Sequence, residues 1–125
     1  MKLIVTLPLP SKALSPNGRA HWAKKARAVS DYRWWAKMAC LSALREVGET
    51  SAWDAAIIEP HFYFRVAQRR DSDNLAACLK SACDGLADAG LVANDYTLRN
   101  AEPVVHIGAA RPRVELWITK LEAAE

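Results

Sequence analysis

One run of helical periodicity constrains this chain more than any other feature. From about Ala20 to Val47 the apolar residues Trp22, Ala26, Val29, Trp35, Met38, Leu41 and Leu44 recur at three- or four-residue steps, the period of an amphipathic α-helix, and Gly48 follows as its expected stop. The flanks read differently. Residues 2 to 8 alternate apolar and β-branched types and predict a strand closed by Pro8-Leu9-Pro10, followed by a turn-rich loop over residues 9 to 18. Residues 55 to 64, Ala-Ala-Ile-Ile-Glu-Pro-His-Phe-Tyr-Phe, predict a second strand, in which Pro60 points to an edge or a bulge. A second helix is predicted over 74 to 89, with Leu75, Leu79, Ala82 and Leu86 on one side and Gly85 and Gly90 near its end. After a loop over 91 to 97, strands from about Ala101 to Ile107 and Arg113 to Leu121, joined by Gly108 to Pro112, read as a hairpin. The order is β-α-β-α-β-β without an internal repeat, so the expected fold is one small α+β domain over residues 1 to 125, a mixed sheet packed with two helices.

Composition narrows the function classes. A chain of 125 residues, 51% hydrophobic and 25% charged, suits one globular domain rather than two. No run of eighteen apolar residues exists, and Met1-Lys2-Leu3-Ile4-Val5-Thr6-Leu7 is too short and too alternating for a signal peptide, which places the protein by expectation in the cytoplasm. Cys40, Cys78 and Cys83 are odd in number and lack C-x-x-C spacing, which argues for buried free thiols rather than a disulfide framework or zinc ribbon. His21, His61 and His106 stand singly along the chain and are assigned no metal.

The net charge of +3 conceals a division: residues 1 to 50 carry nine Lys or Arg against three acids, and residues 51 to 125 carry eight against eleven. Lys12, Arg19, Lys24, Lys25, Arg27, Arg33 and Lys37 fall within 26 positions opposed only by Asp31, a candidate phosphate-binding surface, though a long solvated helix carries such charges too. Trp34 beside Trp35 puts one indole off the main stripe, where it serves either a dimer contact or base stacking.

Chemistry concentrates in Arg69-Arg70-Asp71-Ser72-Asp73-Asn74-Leu75, followed by Lys80, Asp84 and Asp95. Two carboxylates one residue apart repel unless a cation relieves them, and hard carboxylate oxygens without nearby His or Cys favour Mg²⁺, with Mn²⁺ as a substitute. The adjacent arginines Arg69 and Arg70 suit a polyanion such as nucleic acid. The same acids also suit a helix N-terminus, where Asp and Asn are favoured caps. Leu75 and Ala76 exclude an EF-hand loop. On one continuous helix, Asp73, Lys80 and Asp84 fall within about 20° of a line; Lys80 and Asp84, spaced i to i+4, read as a surface ion pair.

These residues carry a resemblance. The pattern R-R-D-x-D-N-L, a helix ending near Asp84-Gly85-Leu86-Ala87-Asp88-Ala89-Gly90-Leu91, and then Asn94-Asp95 resemble the RusA family of Holliday junction resolvases over residues 69 to 96. Ser15 to Trp22 followed by a basic helix is similar to the N-terminal part of phage-type members. The resemblance implies a homodimeric, intertwined α+β endonuclease that uses Mg²⁺ to nick four-way DNA junctions symmetrically in recombination and repair. It implies Asp71, Asp73 and Asp95 as metal ligands and Lys80 as the catalytic lysine, with Arg19, Lys24, Lys25, Arg27, Arg69 and Arg70 on the DNA. Two positions depart from the pattern: the family lysine lies one turn after the second Asp, where this chain has Ala77, and Asn94 stands where members often have Asp.

A helix over 74 to 89 would run about 24 Å, and the segment from Gly90 to Asp95 retraces at most roughly 17 Å. That length difference suggests sites that take Asp95 from one subunit and Asp71 with Asp73 from the other. Two other functional classes fit the residues: a basic dimer that grips branched or duplex DNA without cutting it, and a protein-interaction domain whose basic helix is simply solvated.

Overall fold

A computed structural model describes residues 2–15, 21–68 and 70–121. Strand β1 (Lys2–Leu7) buries Leu3, Val5 and Leu7 and turns Lys2, Ile4 and Thr6 outward, as its alternation requires. A 3-10 turn, Lys12–Leu14, then leads towards helix α1 (Trp22–Val47), which His21 caps by accepting the Ala23 N–H on Nδ1 at 3.2 Å. Gly48 ends it in the left-handed region at φ 75°, the stop expected from sequence.

The rest of the chain is strand β2 (Ala55–Phe64), short helices α2 (Ser72–Ala77) and α3 (Lys80–Asp88), and strands β3 (Leu98–Asn100), β4 (Val104–Ile107) and β5 (Arg113–Leu121). The result is a small α+β domain, helices against one face of a five-stranded mixed sheet. The sheet runs β1-β5-β2-β3, with β4 also on β2. β5 is antiparallel to both neighbours, and β3 and β4 are both parallel to β2.

That topology corrects the hairpin. β4 and β5 are not partners, because β2 lies between them, pairing Tyr63 with His106 on one side and with Arg113 on the other. Residues 98 to 100, read as lying between loop and strand, form β3 on the same edge of β2. β2 is an interior strand, yet Pro60 fits. The carbonyls of Ile58 and Phe64 accept from Ala101 and Ala109 on the β3/β4 side, so the alternating backbone points Pro60 the same way. The N–H that proline lacks therefore falls opposite the gap between β3 and β4.

The core lies between sheet and helices. Ala56, Ile58 and Phe62 of β2 and Val114, Leu116 and Ile118 of β5 meet Tyr32, Ala36 and Cys40 of α1 and Ala82 and Leu86 of α3. Here the expected stripe of α1 holds at Leu44, which packs against the core, but is otherwise out of phase. Trp22 (76% exposed), Trp35 (47%) and Met38 (45%) face outward, and the core takes Ala28, Tyr32, Ala36, Cys40 and Ala43. Close approach of α3 is the reason: a Cβ on Gly85 would lie 2.2 Å from the Arg33 carbonyl oxygen and 2.9 Å from the Ala36 Cβ, so small residues occupy the contact. Arg33 also forks onto Asp88 of α3, Nε at 2.6 Å and Nη2 at 2.9 Å, which removes it from the free basic surface.

The second predicted helix is broken. After Ala77 the chain tightens, the Leu79 N–H bonding the Ala76 carbonyl at 3.1 Å, and Leu79 is carried into the core at 3% exposure before α3 begins. The 73-to-80 alignment assumed one continuous helix and does not hold. So did the 24 Å span behind the two-subunit length argument; α3 alone runs about 13.5 Å.

Candidate active site

Asp71 is the N-cap of α2. Its extended backbone (φ −87°, ψ 124°) brings Oδ1 2.8 Å from the Asp73 N–H, so the capping role considered from sequence is realised at this residue. One carboxylate oxygen is used in this way, and Oδ2 has no protein partner among the described residues. Asp73, in the first turn, is exposed, and its carboxylate makes no hydrogen bond or ion pair among them. Among the described residues, then, Asp71 Oδ2 and both carboxylate oxygens of Asp73 are unengaged.

Arg70 lies flat against the end of β2. Its guanidinium carbon sits 3.5 Å from the Phe64 ring centroid, and its Nη1 donates to the carbonyls of Val66 (3.4 Å) and Gln68 (3.3 Å). Lys80 opens α3 with a side chain 85% exposed, and its Nζ lies 3.8 Å from Asp84 Oδ2, the i to i+4 pair expected from spacing. Such an exposed pair holds Lys80 weakly. Arg19 and Arg69 lie outside the described residues. The backbone of Asp95 opens a 3-10 turn, Asp95–Thr97, and its carboxylate lies outside what the structure describes.

Three adjoining hollows bring many of these residues onto one surface. The first, of about 330 Å³, has Arg70, Asp71, Asn74 and Lys12 on its wall above Phe62, Phe64 and Leu75. The second, of about 240 Å³, joins Lys25 of α1 to Lys80 and Asp84 of α3. The third, of about 200 Å³, carries Lys24 and Arg27. Cys78 borders the first two, Leu14 the second and third, and Ser11 the first and third, so all three meet around the turn Lys12–Leu14. Asp84 also borders a further hollow with Tyr96, which puts the Asp95–Thr97 turn on the α3 side of this surface.

Among the described residues no three His, Cys, Asp or Glu side chains converge in a way that could hold a metal ion. The donor set at Asp71 and Asp73 still suits Mg²⁺, which is commonly held by one or two carboxylates and completed by waters and phosphate oxygens. All three cysteines are free; burial pushes the Cys40 and Cys83 thiols up to about 11 and raises that of Cys78, so none is a ready nucleophile near neutral pH.

A second polar cluster was missed in the sequence, where His61 and His106 were read as isolated. His61 Nδ1 lies 2.8 Å from His106 Nε2, and its Nε2 lies 2.7 Å from Glu59 Oε1. The ring stacks on Trp117 at 3.8 Å, and His106 stacks on Tyr63 at 4.4 Å. Glu115 accepts from Trp117 Nε1 (3.0 Å), Arg113 Nε (2.9 Å) and Tyr63 Oη (3.2 Å). Burial works to raise its carboxyl, but these bonds and the Arg113 charge hold it below the usual carboxylate value. The available signal was polar and aromatic residues at alternate positions, Glu59-His61-Tyr63 and Arg113-Glu115-Trp117, which a pleated strand sets on one face.

No protein-family model matches the chain. It is similar to an uncharacterized protein of Xylella fastidiosa, 36% identical over 91 residues, which covers 68% of this chain and 56% of that protein. The chain thus spans little more than half the length of that relative. Among the described residues no helix is long and apolar enough to cross a membrane.

Proposed function

We propose that this chain is a Mg²⁺-dependent, structure-specific endodeoxyribonuclease of the RusA type, which resolves four-way DNA junctions by paired nicks in recombination and repair. One observation carries the reading: Asp71, whose Oδ1 accepts from the Asp73 N–H in the first turn of α2, shares a continuous surface with Arg70, Lys12, Lys24, Lys25, Arg27 and Lys80. Anionic metal ligands ringed by cations are what a phosphodiester needs, since the cations bind the backbone and the acids take the ion. Asp71 and Asp73, with Asp95, would hold Mg²⁺, which when bound supplies an activated water and charge neutralisation at the scissile phosphate. Lys80, largely exposed and only loosely paired with Asp84, stabilises charge on that phosphate, and Lys24, Lys25 and Arg27 position the strand. The exposed Trp34, Trp35 and Met38 of α1 supply an apolar face for a homodimer, which two symmetric nicks require.

The test is a labelled four-way junction and matching linear duplex, incubated with Mg²⁺ or EDTA. Paired nicks confined to the junction and lost in Asp73→Asn support the reading; binding without cutting under any divalent cation rejects it. The capping bond of Asp71 favours a second reading, a DNA-binding dimer in which the acids only start α2. Retention of junction binding with no metal response would select it.

A further inference from the structure

The hollow of about 330 Å³ beside Asp71 is more than a wall for the phosphate. Its size falls at the lower end of the range of small-molecule pockets, roughly 300–1,000 Å³. Its floor is apolar and aromatic, from Phe62, Phe64 and Leu75. Arg70 forms a cationic side, its guanidinium carbon 3.5 Å from the Phe64 ring centroid and its Nη1 donating to the carbonyls of Val66 and Gln68. Asn74 borders the same space, and its side-chain amide makes no hydrogen bond among the described residues, leaving both a donor and an acceptor.

We propose that this hollow receives one unstacked nucleobase of the DNA strand whose phosphate lies at Asp71 and Asp73. A base has the matching chemistry: a planar face for the guanidinium and the apolar floor, and an edge of donors and acceptors for Asn74. Phosphate alone uses none of the floor, and an aliphatic ligand uses neither Arg70 nor Asn74. A base still paired in a duplex cannot enter. The cost of unstacking is least where stacking is already interrupted, so the hollow turns a branch point into the preferred substrate without reading a long sequence. The inference rests on the nuclease reading above and adds to it how strand geometry is selected.

The experiment uses the full chain bound to a four-way junction with Ca²⁺ in place of Mg²⁺ to hold back cutting. 5-Iodo-2′-deoxyuridine is placed in turn at each position around the branch point, the complex is irradiated, and crosslinked peptides are mapped by mass spectrometry, with yields normalised to bound DNA. One position is expected to crosslink to Phe64 or the Arg70–Cys78 segment. Leu75→Trp, which fills the hollow, is expected to cut that yield by about tenfold. Asn74→Ala, which removes a side chain with no hydrogen bond among the described residues, serves as the second variant should Leu75→Trp fail to fold, and is expected to lower the yield as well. Crosslinks found only on α1 or the open sheet face, with the junction bound, overturn the base pocket and leave the nuclease reading standing. Absence of junction binding at low salt overturns both.

Discussion

Alternate residues of β2 meet two different environments. Ala56, Ile58 and Phe62 point to the helices and are fully buried, whereas Glu59, His61 and Tyr63 point away and bond one another or partners on β4 and β5. The helix side is held by apolar area, which is non-directional. The open side is held by directed bonds: the one carboxylate of Glu115 serves three donors, and His61, 4% exposed, has both ring nitrogens engaged. Removing one atom therefore has different consequences on the two sides. Loss on the helix side leaves a void, while loss on the open side leaves an unpaired polar group.

The largest contrast is expected between Phe62→Ala and Trp117→Ala. Phe62, 0% exposed, should cost about 3–5 kcal/mol in denaturant unfolding. Trp117, only partly buried, should cost less, and equal losses would abolish the distinction between the faces. Gly85→Ala tests the helix side from the opposite direction, by overfilling. Its Cβ would meet the Arg33 carbonyl oxygen at 2.2 Å, so α1 and α3 must separate, at an expected cost of about 1–3 kcal/mol or more. A neutral result would mean that the two helices are not in close contact.

On the open side, His106→Ala removes the partner of the buried His61 Nδ1 and should cost about 1–3 kcal/mol, read from thermal or urea melts. Glu115 adds a dependence on pH. Its carboxyl is held below its ordinary value in the folded chain, so its contribution is complete above that value, 4.5, and is lost as pH falls through the lower folded one. The stability gap between the wild type and Glu115→Gln should therefore be open near neutral pH and close in acid. A gap that does not change with pH would show that the Glu115 charge contributes nothing.

The same contrast explains what could be read in advance. β1, β2 and α1 were legible because each repeats a local period over six or more residues, and the period follows from backbone geometry alone. The phase of α1 was not, because large residues mark a stripe in sequence, whereas here Gly85 and Ala36 set a contact too close for them. The break at Cys78 and Leu79 was hidden for a similar reason: Leu79 suits either a continuing helix or a tight turn, and the core decides. The His61–His106 pair joins residues 45 apart in the sequence, and only the register of β2 on β4 brings them together. Asp71 and Asp73 were visible as a motif, and both roles considered for them need the same residues, so pattern alone could not separate cap from ligand.

A single substitution does separate them. Asn caps a helix about as well as Asp, so Asp71→Asn should change stability by only a few tenths of a kcal/mol while removing the negative charge that holds a metal. The decisive measurement is Mg²⁺-dependent nicking of a four-way junction by Asp71→Asn beside the wild type, with the fold and junction binding of both checked. The account predicts that the wild type cuts and the variant, folded and still bound to the junction, does not. Cutting by the variant at the wild-type rate would show that Asp71 is a cap alone and would contradict the metal site.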